Sequence, residues 1–599
     1  MLNESQLQKK MQKAISLKLD GFTDQAVKQF EFILKERPYY LTALLEVGDL
    51  YLQTMQYQKA KEVFEKSLQI LDEEDDKQQY AYTCVNLAGA LQALGYFDLA
   101  GEYYRSAGEL EPLDLLIKAR AGRYLSEVGR GQEALDVFES ILAIDHRFVD
   151  AICGKAEVLV KNREFDVAAV EYKRALLIKP NYYVAIMGLV TLYLDSKQYL
   201  QAKAMINKGL GVYPEFSALL LNKSRLDLRL GDLIGALDAT NQVLSLNPST
   251  MVALKQKAWV LTQMQRFDEA IRCYDMMMEI VPNDANALYS KSMVQLTLAN
   301  FAEGWFNHEA RLNIDAYKNS NVVLNKDSGR WHIDRALTEG ESLIVYSEQG
   351  LGDTIQFSRY VALLKERKIP FKLSIQPALR SLFKCSKEIA SSIIDTDVVH
   401  DSYFIPLMSL PYEFKTDNFT IPEPLKFEFP QNRQEFWHKK LKMFKSGKRK
   451  IGLVTTGNLS HLNDFNRSID LQSLCEYLPK DNIYFLLQKD LRVEDAEYLD
   501  DNHAGLNIYW IGREFSDFVD TAVFCSLLDE VITVDTSLAH LCGSLNIETV
   551  TLLPFVPDWR WQRDSDDTPW YKSMQLMRQP EYGNWKSVFE RLAQYLISR

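Results

Sequence analysis

The chain has 599 residues, 47% hydrophobic and 25% charged, with a net charge of −12 at pH 7. That length exceeds what one hydrophobic core serves, and the acidic balance argues against nucleic acid as the main partner. Seven scattered cysteines without a CxxC pair suggest neither a disulfide framework nor a zinc site. The N-terminus has no basic segment leading into an apolar stretch, and no run reaches membrane-spanning length, so a cytoplasmic protein is expected.

From the first residues onward a small side chain returns in phase: Ala26, Ala60, Ala100, Ala134, Ala168, Ala202, Ala236, Ala270 and Gly304. The spacing is 34 residues except for one six-residue slip at the acidic insert Glu73-Glu74-Asp75-Asp76. A period of 34 is that of the tetratricopeptide repeat, one helix–turn–helix per unit. Four places after the small residue stands a large one (Phe30, Phe64, Tyr104, Phe138, Tyr172, Tyr274), and a proline often follows (Pro38, Pro112, Pro180, Pro214, Pro248, Pro282). The small residue permits close helix approach, the ring fills the gap, and the proline stops the second helix.

Such an array, expected over residues 1–315, presents its A helices on a concave face that binds protein. Met187, Leu221, Trp259, Tyr289 and Met293, with Val184 and Val252, are the groove candidates. Their apolar character suits an amphipathic helix or a hydrophobic segment, or packing between neighbouring repeats. The acidic insert reads as a solvated loop. The last repeat is heavy in aromatics (Phe301, Trp305, Phe306), as a unit that ends the stack by docking on another domain would be. Residues 316–340 form the expected linker, with Trp331 buried at the junction.

After residue 340 the period changes to strand–helix alternation, predicting parallel sheets covered by helices. Strand candidates fall at 343–346, 371–375, 450–455, 483–487, 506–511, 530–534 and 549–553, and a helix at about 354–366. Two such units in tandem give two Rossmann-like lobes, 341–445 and 446–599, with ligands expected beyond the carboxyl ends of the strands.

Three strand-end loops stand out. Glu348-Gln349-Gly350-Leu351-Gly352-Asp353-Thr354 has two glycines and an Asp opening a helix; it reads either as a capped helix or as a ligand-approach turn. It lacks the third glycine of a dinucleotide fingerprint, since Ile355 stands there. Thr455-Thr456-Gly457-Asn458 leads into a polar loop with His461 and Arg467, the latter suited to a phosphate. Val534-Asp535-Thr536-Ser537 runs a strand into a helix bearing His540, an N-terminal anion site or a capped helix with a core histidine.

These residues resemble a known family. The 534–545 segment resembles the nucleotide loop of heptosyltransferases and related GT-B glycosyltransferases, and the Gly352-Asp353 turn resembles their acceptor-side turn. Together with Pro557-Asp558-Trp559-Arg560-Trp561, the chain looks like the bacterial proteins that join tetratricopeptide repeats to such a domain. These include flagellin glycosyltransferases that attach nonulosonic acids such as pseudaminic acid. The resemblance implies an α-solenoid followed by an α/β GT-B domain with the acceptor-side lobe first and the nucleotide-sugar lobe second. It implies Asp353 as general base, and Arg467, Asp535, Thr536, Ser537, His540 and Gly457 as the donor-phosphate site. Gln349, Gly352, His461, Arg560, Trp561 and Trp570 would shape the cleft. It further implies a nucleotide-sugar co-substrate, no metal, and an acceptor protein such as flagellin held by the repeats. Protein O-GlcNAc transferases share the plan but carry an asparagine ladder, where this chain has Asn86, Arg120, Gly154, Gly188, Asn222, Gln256 and Ser290. An adaptor with a degenerate transferase domain is the alternative.

Overall fold

The computed structural model describes residues 4–19, 22–314, 323–324, 329–395, 398–399, 403–444, 447–458, 463–501 and 507–599. Two compact units emerge, Met1–Leu226 and Asp227–Arg599. The division falls inside the helix Ser217–Leu230, not at 315/316 where the composition changes.

The first unit is built of helix pairs in the expected register, for example Gly131–Ile144 following Leu115–Glu127, and Phe165–Ile178 following Val149–Lys161. The small residues at the phase position are fully buried, as are Phe30, Phe64 and Phe138. At two of the equivalent positions a ring takes the space of a ladder asparagine. A Cβ on Gly154 would stand 2.3 Å from the Phe138 ring, and one on Gly188 would stand 2.3 Å from the Tyr172 ring. At these two positions the large residue of the B helix thus enters the A helix of the next repeat where a ladder side chain would sit. Turns between A and B helices recur in the left-handed backbone region, at Gly95 and Gly129 but also at Arg163 (φ 65°) and Lys197 (φ 59°). The turn geometry is therefore imposed by the helix pairing even where the side chain disfavours it. The acidic insert is exposed, with Asp72 accepting from the Glu74 and Asp75 amides.

The second unit begins with the last repeats and continues into the sheets. Strands β1 (Val323–Leu324) and β5 (Val398–Val399) pair in parallel. A four-stranded parallel sheet has the order β2 (Gly329–Arg330), β6 (Tyr403–Pro406), β3 (Leu343–Tyr346), β4 (Lys372–Ser374). A seven-stranded sheet has the order β12 (Asp567–Thr568), β13 (Tyr571–Arg578), β11 (Thr549–Leu553), β10 (Glu530–Val534), β7 (Lys450–Val454), β8 (Ile483–Leu486), β9 (Ile508–Trp510), parallel except β12 against β13. Six strands were not expected: the two-residue β1, β2, β5 and β12, and the longer β6 and β13. β6 ends at Pro406 and hides in a proline-containing stretch, and β13 follows the last apolar run that resembled a strand. The expected helix at 354–366 is two pieces, Leu351–Phe357 and Tyr360–Glu366.

The unit boundary has a hydrophobic cause. Leu296, Phe301 and Trp305 of the last repeat share one buried cluster with Trp331, Phe357, Trp559 and Trp570. The Trp305 ring meets Trp559 edge-on at 5.2 Å and Phe357 at 6.2 Å, and its indole N–H donates to the Thr416 carbonyl at 3.0 Å. Trp331 is fully buried in the same cluster, as expected, and its backbone N–H donates to the Phe404 carbonyl. The terminal repeat is thus part of the core beside the first sheet, which is why the chain does not divide at the linker.

Candidate functional site

The carboxyl ends of β3 and β10 deliver their loops to one place. β3 runs into the Leu351–Phe357 helix, and β10 runs into the Ser537–Ser544 helix. A Cβ on Gly352 would lie 2.8 Å from His540 Cδ2 and 3.4 Å from Ser537 Cα. Glycine at 352 therefore lets one helix start rest on the other. Two of the three loops read from sequence meet here, and the third joins them through Arg467, which donates to the Asp535 carbonyl at 3.1 Å. Gly457 lies flat against that guanidinium, since a Cβ there would be 2.7 Å from Arg467 Nη2. His461 lies outside the described residues.

Arg560 is the hub. Its guanidinium pairs with Asp353, donates to Asp558 Oδ1 at 2.8 Å and, through Nε, to Gln356 Oε1 at 2.6 Å. It also lies over the Trp559 ring at 4.5 Å. Asp353 accepts the Gly350 amide at 2.8 Å through its other oxygen. The predicted base is therefore a helix-start carboxylate with one oxygen on the backbone and one on an arginine. Asp558 and Gln356 were not singled out from sequence. Asp558 stands inside the quoted 557–561 stretch, but nothing in that stretch marks Gln356, which reaches the site only through the packing of its helix.

His540 is buried and neutral: burial, then the Arg560 and Arg359 charges, hold its pKa well below the ordinary histidine value. It stacks on Trp561 at 5.4 Å, and its Nδ1 lies 3.0 Å from the Tyr571 hydroxyl. This histidine is a wall of the site. Trp570 is buried against Trp559 and Phe357, and its carbonyl accepts from Arg359 at 3.0 Å. The Gln349 carbonyl accepts from Gln376 at 2.9 Å. Thr536 caps no backbone amide with its side chain and contacts Thr533 at 3.2 Å.

Asp535 is raised to about 6, by burial first and then by the neighbouring Asp558 charge, against the opposing pull of Arg467 and Arg560. A carboxyl that binds its proton more tightly when folded lowers stability as pH rises from its ordinary value of 3.8 towards 6. Asp535→Asn should therefore match the parent near pH 4 and exceed it by about 1–3 kcal/mol above pH 7. Melting curves across that range check it; a difference that is constant with pH contradicts the assignment.

The groove candidates separate. Met187 packs partly buried among the first unit's helices, with Asn222 Nδ2 4.0 Å from its sulfur, and Leu221 is half-buried. In the second unit Met293 packs against the core beneath the first sheet, and the Tyr289 ring lies 5.3 Å from His308. Trp259 (40% exposed) and Val252 (63%) are the open apolar side chains. Met187 thus follows the packing alternative between neighbouring repeats, whereas Met293 packs on the core that continues into the sheets.

A second polar cluster joins the last repeat to the β3 loop, and sequence reading missed it. Arg311, fully buried, donates to Glu348 at 2.6 Å, to Glu309 at 2.8 Å and to Ser409 Oγ at 2.8 Å. Glu309 also pairs with Arg330. Burial pushes both acids up, but Glu309 faces two guanidiniums and ends below its ordinary value, while Glu348 faces one and stays above.

Comparison with known proteins finds the tetratricopeptide-repeat family model at residues 41–70 and again at 253–288. The chain is 20% identical over 501 residues to Protein FlbA of Caulobacter vibrioides, covering 78% of this chain and 81% of that one. It is 22% identical over 280 residues to anaphase-promoting complex subunit 3 of Schizosaccharomyces pombe, covering 46% and 41%. Among solved structures, a tetratricopeptide repeat protein from Parabacteroides merdae is similar at 14% identity and TM-score 0.33, covering 43% of this chain and 98% of that one. This is a tetratricopeptide-repeat protein related to FlbA. Among the described residues no helix is long and apolar enough to cross a membrane.

Proposed function

We propose that this repeat protein is a cytoplasmic protein O-glycosyltransferase of GT-B plan. It would transfer a nonulosonic acid such as pseudaminic acid from a nucleotide-activated donor to Ser or Thr of a partner protein, flagellin foremost. The observation that carries the reading is the meeting of Asp353, Arg560 and the Asp535–His540 helix start at the carboxyl ends of two parallel sheets. In this reading the acceptor hydroxyl attacks the anomeric carbon and passes its proton to Asp353. The bond from that carbon to the phosphate oxygen breaks with inversion, and the nucleotide leaves carrying the negative charge. Arg560 and Arg467 supply the counter-charge that a divalent metal supplies elsewhere. A carboxylate paired to a guanidinium is a poor base, so Arg560 turns from Asp353 to the donor phosphate, and donor binding frees the base.

Intact mass of flagellin co-expressed with the protein, in cells that make the activated sugar, tests this. Wild type should add sugar-sized masses and Asp353→Ala should add none, a loss of about a hundredfold or more. Trp259→Ala with Val252→Glu should weaken flagellin capture while leaving the site intact. A second reading, an adaptor whose transferase domain has lost activity, is favoured by the engagement of both Asp353 oxygens. Co-purification without added mass in wild type would select it.

A further inference from the structure

One residue beside the candidate site has a backbone that its side chain disfavours. Gln562, which follows the Trp559–Trp561 turn, stands at φ 55° and ψ −170°. That combination lies at the edge of a region essentially confined to glycine, and it persists only where the surroundings over-determine it. The turn itself is tight. The Asp558 side chain accepts the Arg560 amide, the Trp561 amide donates to the Asp558 carbonyl, and the Gln562 amide donates to the Trp559 carbonyl, each at 3.1 Å. It carries two groups of the site: Arg560 pairs with Asp353, and Trp561 stacks on His540.

What holds the turn is a second guanidinium. Arg578 ends β13 and donates from Nη2 to the Trp561 carbonyl at 2.6 Å and from Nη1 to the Gln562 carbonyl at 3.1 Å. Its Nη2 and Nε also reach the Ser565 carbonyl, at 2.7 and 3.2 Å. The Trp561 carbonyl belongs to the peptide before Gln562 and the Gln562 carbonyl to the peptide after it. The orientations of those two peptides are what φ and ψ of residue 562 describe, so one planar group fixes both angles. A rigid fork of N–H donors suits this task, and a single ammonium does not. The Gln562 side chain adds one tie, its Nε2 donating to Asn418 Oδ1 at 2.6 Å, but that pair is exposed and contributes little.

We infer that Arg578 is a positioning residue, whose guanidinium clamps the two peptides around Gln562 and so keeps the 559–562 turn, and Arg560 with it, in place against Asp353. Its part in transfer rests on the transferase reading above; its hold on the turn does not. With the backbone clamped, the swing of Arg560 from Asp353 to the donor phosphate is confined to its side chain.

The test is a double-variant cycle of Arg578→Lys and Gln562→Gly in the full chain. It reads the protection of the Arg560 and Trp561 amides against hydrogen exchange, the rate of transfer to flagellin, and the melting midpoint. Lysine keeps the charge but cannot span the Trp561, Gln562 and Ser565 carbonyls together. Arg578→Lys should lower amide protection about tenfold and slow transfer about tenfold, with the melting midpoint within a few degrees of wild type. Glycine adopts the backbone angles of residue 562 without strain. In the Gln562→Gly background the same lysine substitution should therefore change protection and transfer by less than about threefold. Unchanged protection in Arg578→Lys overturns the clamp. So does an equal loss in both backgrounds, the result expected of a group that merely satisfies loop carbonyls. Lowered protection with wild-type transfer overturns the role in positioning Arg560. Wild type that adds no sugar overturns the transferase reading, and amide protection then still decides the clamp.

Discussion

Arg311→Ala should lower the stability of the second unit by about 3–5 kcal/mol, because it strands buried carboxylates without their counter-charge. The arginine is fully buried and holds Glu348, Glu309 and Ser409 together. With it gone, Glu348, whose side chain is 1% exposed, keeps no cation within ion-pair distance among the described residues, whereas Glu309 keeps Arg330. The protein itself provides a selective readout. All nine tryptophans lie at or after Trp259, so intrinsic fluorescence reports the second unit in the intact chain. Denaturant unfolding followed by that signal should show the shift, while unfolding read by helical circular dichroism should retain an unchanged component from the first unit. Arg311→Met combined with Glu348→Gln should recover much of the loss, since removing both charges spares the burial of either one alone. A single-variant cost below about 1 kcal/mol would show that the network does not tie the repeat to the β3 loop.

Under the transferase reading, Gly352→Val should abolish sugar transfer while costing about 1–3 kcal/mol of stability, the range for overpacking a closed contact. The added Cβ would stand 2.8 Å from His540 Cδ2. That ring cannot step aside easily, because it is stacked on Trp561 and bonded to the Tyr571 hydroxyl. The helix carrying Asp353 must instead move away from the Ser537–Ser544 helix, and Asp353 moves with it relative to Arg560. Displacement of about 1 Å at a reacting group is enough to cost about a hundredfold in rate. Gly352→Ala is the graded control and should lose less on both scales. Wild-type transfer by the valine variant would mean that the two helix starts need not meet for function.

The sequence by itself determined the repeats. Helix pairing within a tetratricopeptide unit is local, so a 34-residue recurrence of alanine, aromatic and proline is sufficient to read it, and the buried Ala26, Ala134 and Phe138 stand as expected. It also determined the central strands, because Leu343–Tyr346 is an apolar run and Glu530–Val534 and Thr549–Leu553 are rich in β-branched residues, the composition of strands buried on both faces. β6 and β13 escaped because a strand that ends in proline or alternates with lysine, serine and glutamine looks like connecting chain until its neighbours are known.

Of the candidate site, the loops were legible and their partners were not. Asp353, Arg467, Asp535 and His540 stand at strand ends that sequence can mark. That Asp353 faces Arg560, more than two hundred residues away, follows only from the packing of Gly352 on His540. The unit boundary is likewise tertiary. Composition changes at residue 315, but Trp305 and Arg311 find their hydrophobic and ionic partners beyond it, so the last repeats fold with the sheets. Local periodicity fixes which residues turn inward. Which distant residues they meet is fixed by the burial of large side chains and the pairing of buried charges, and neither is written in the spacing of any one segment.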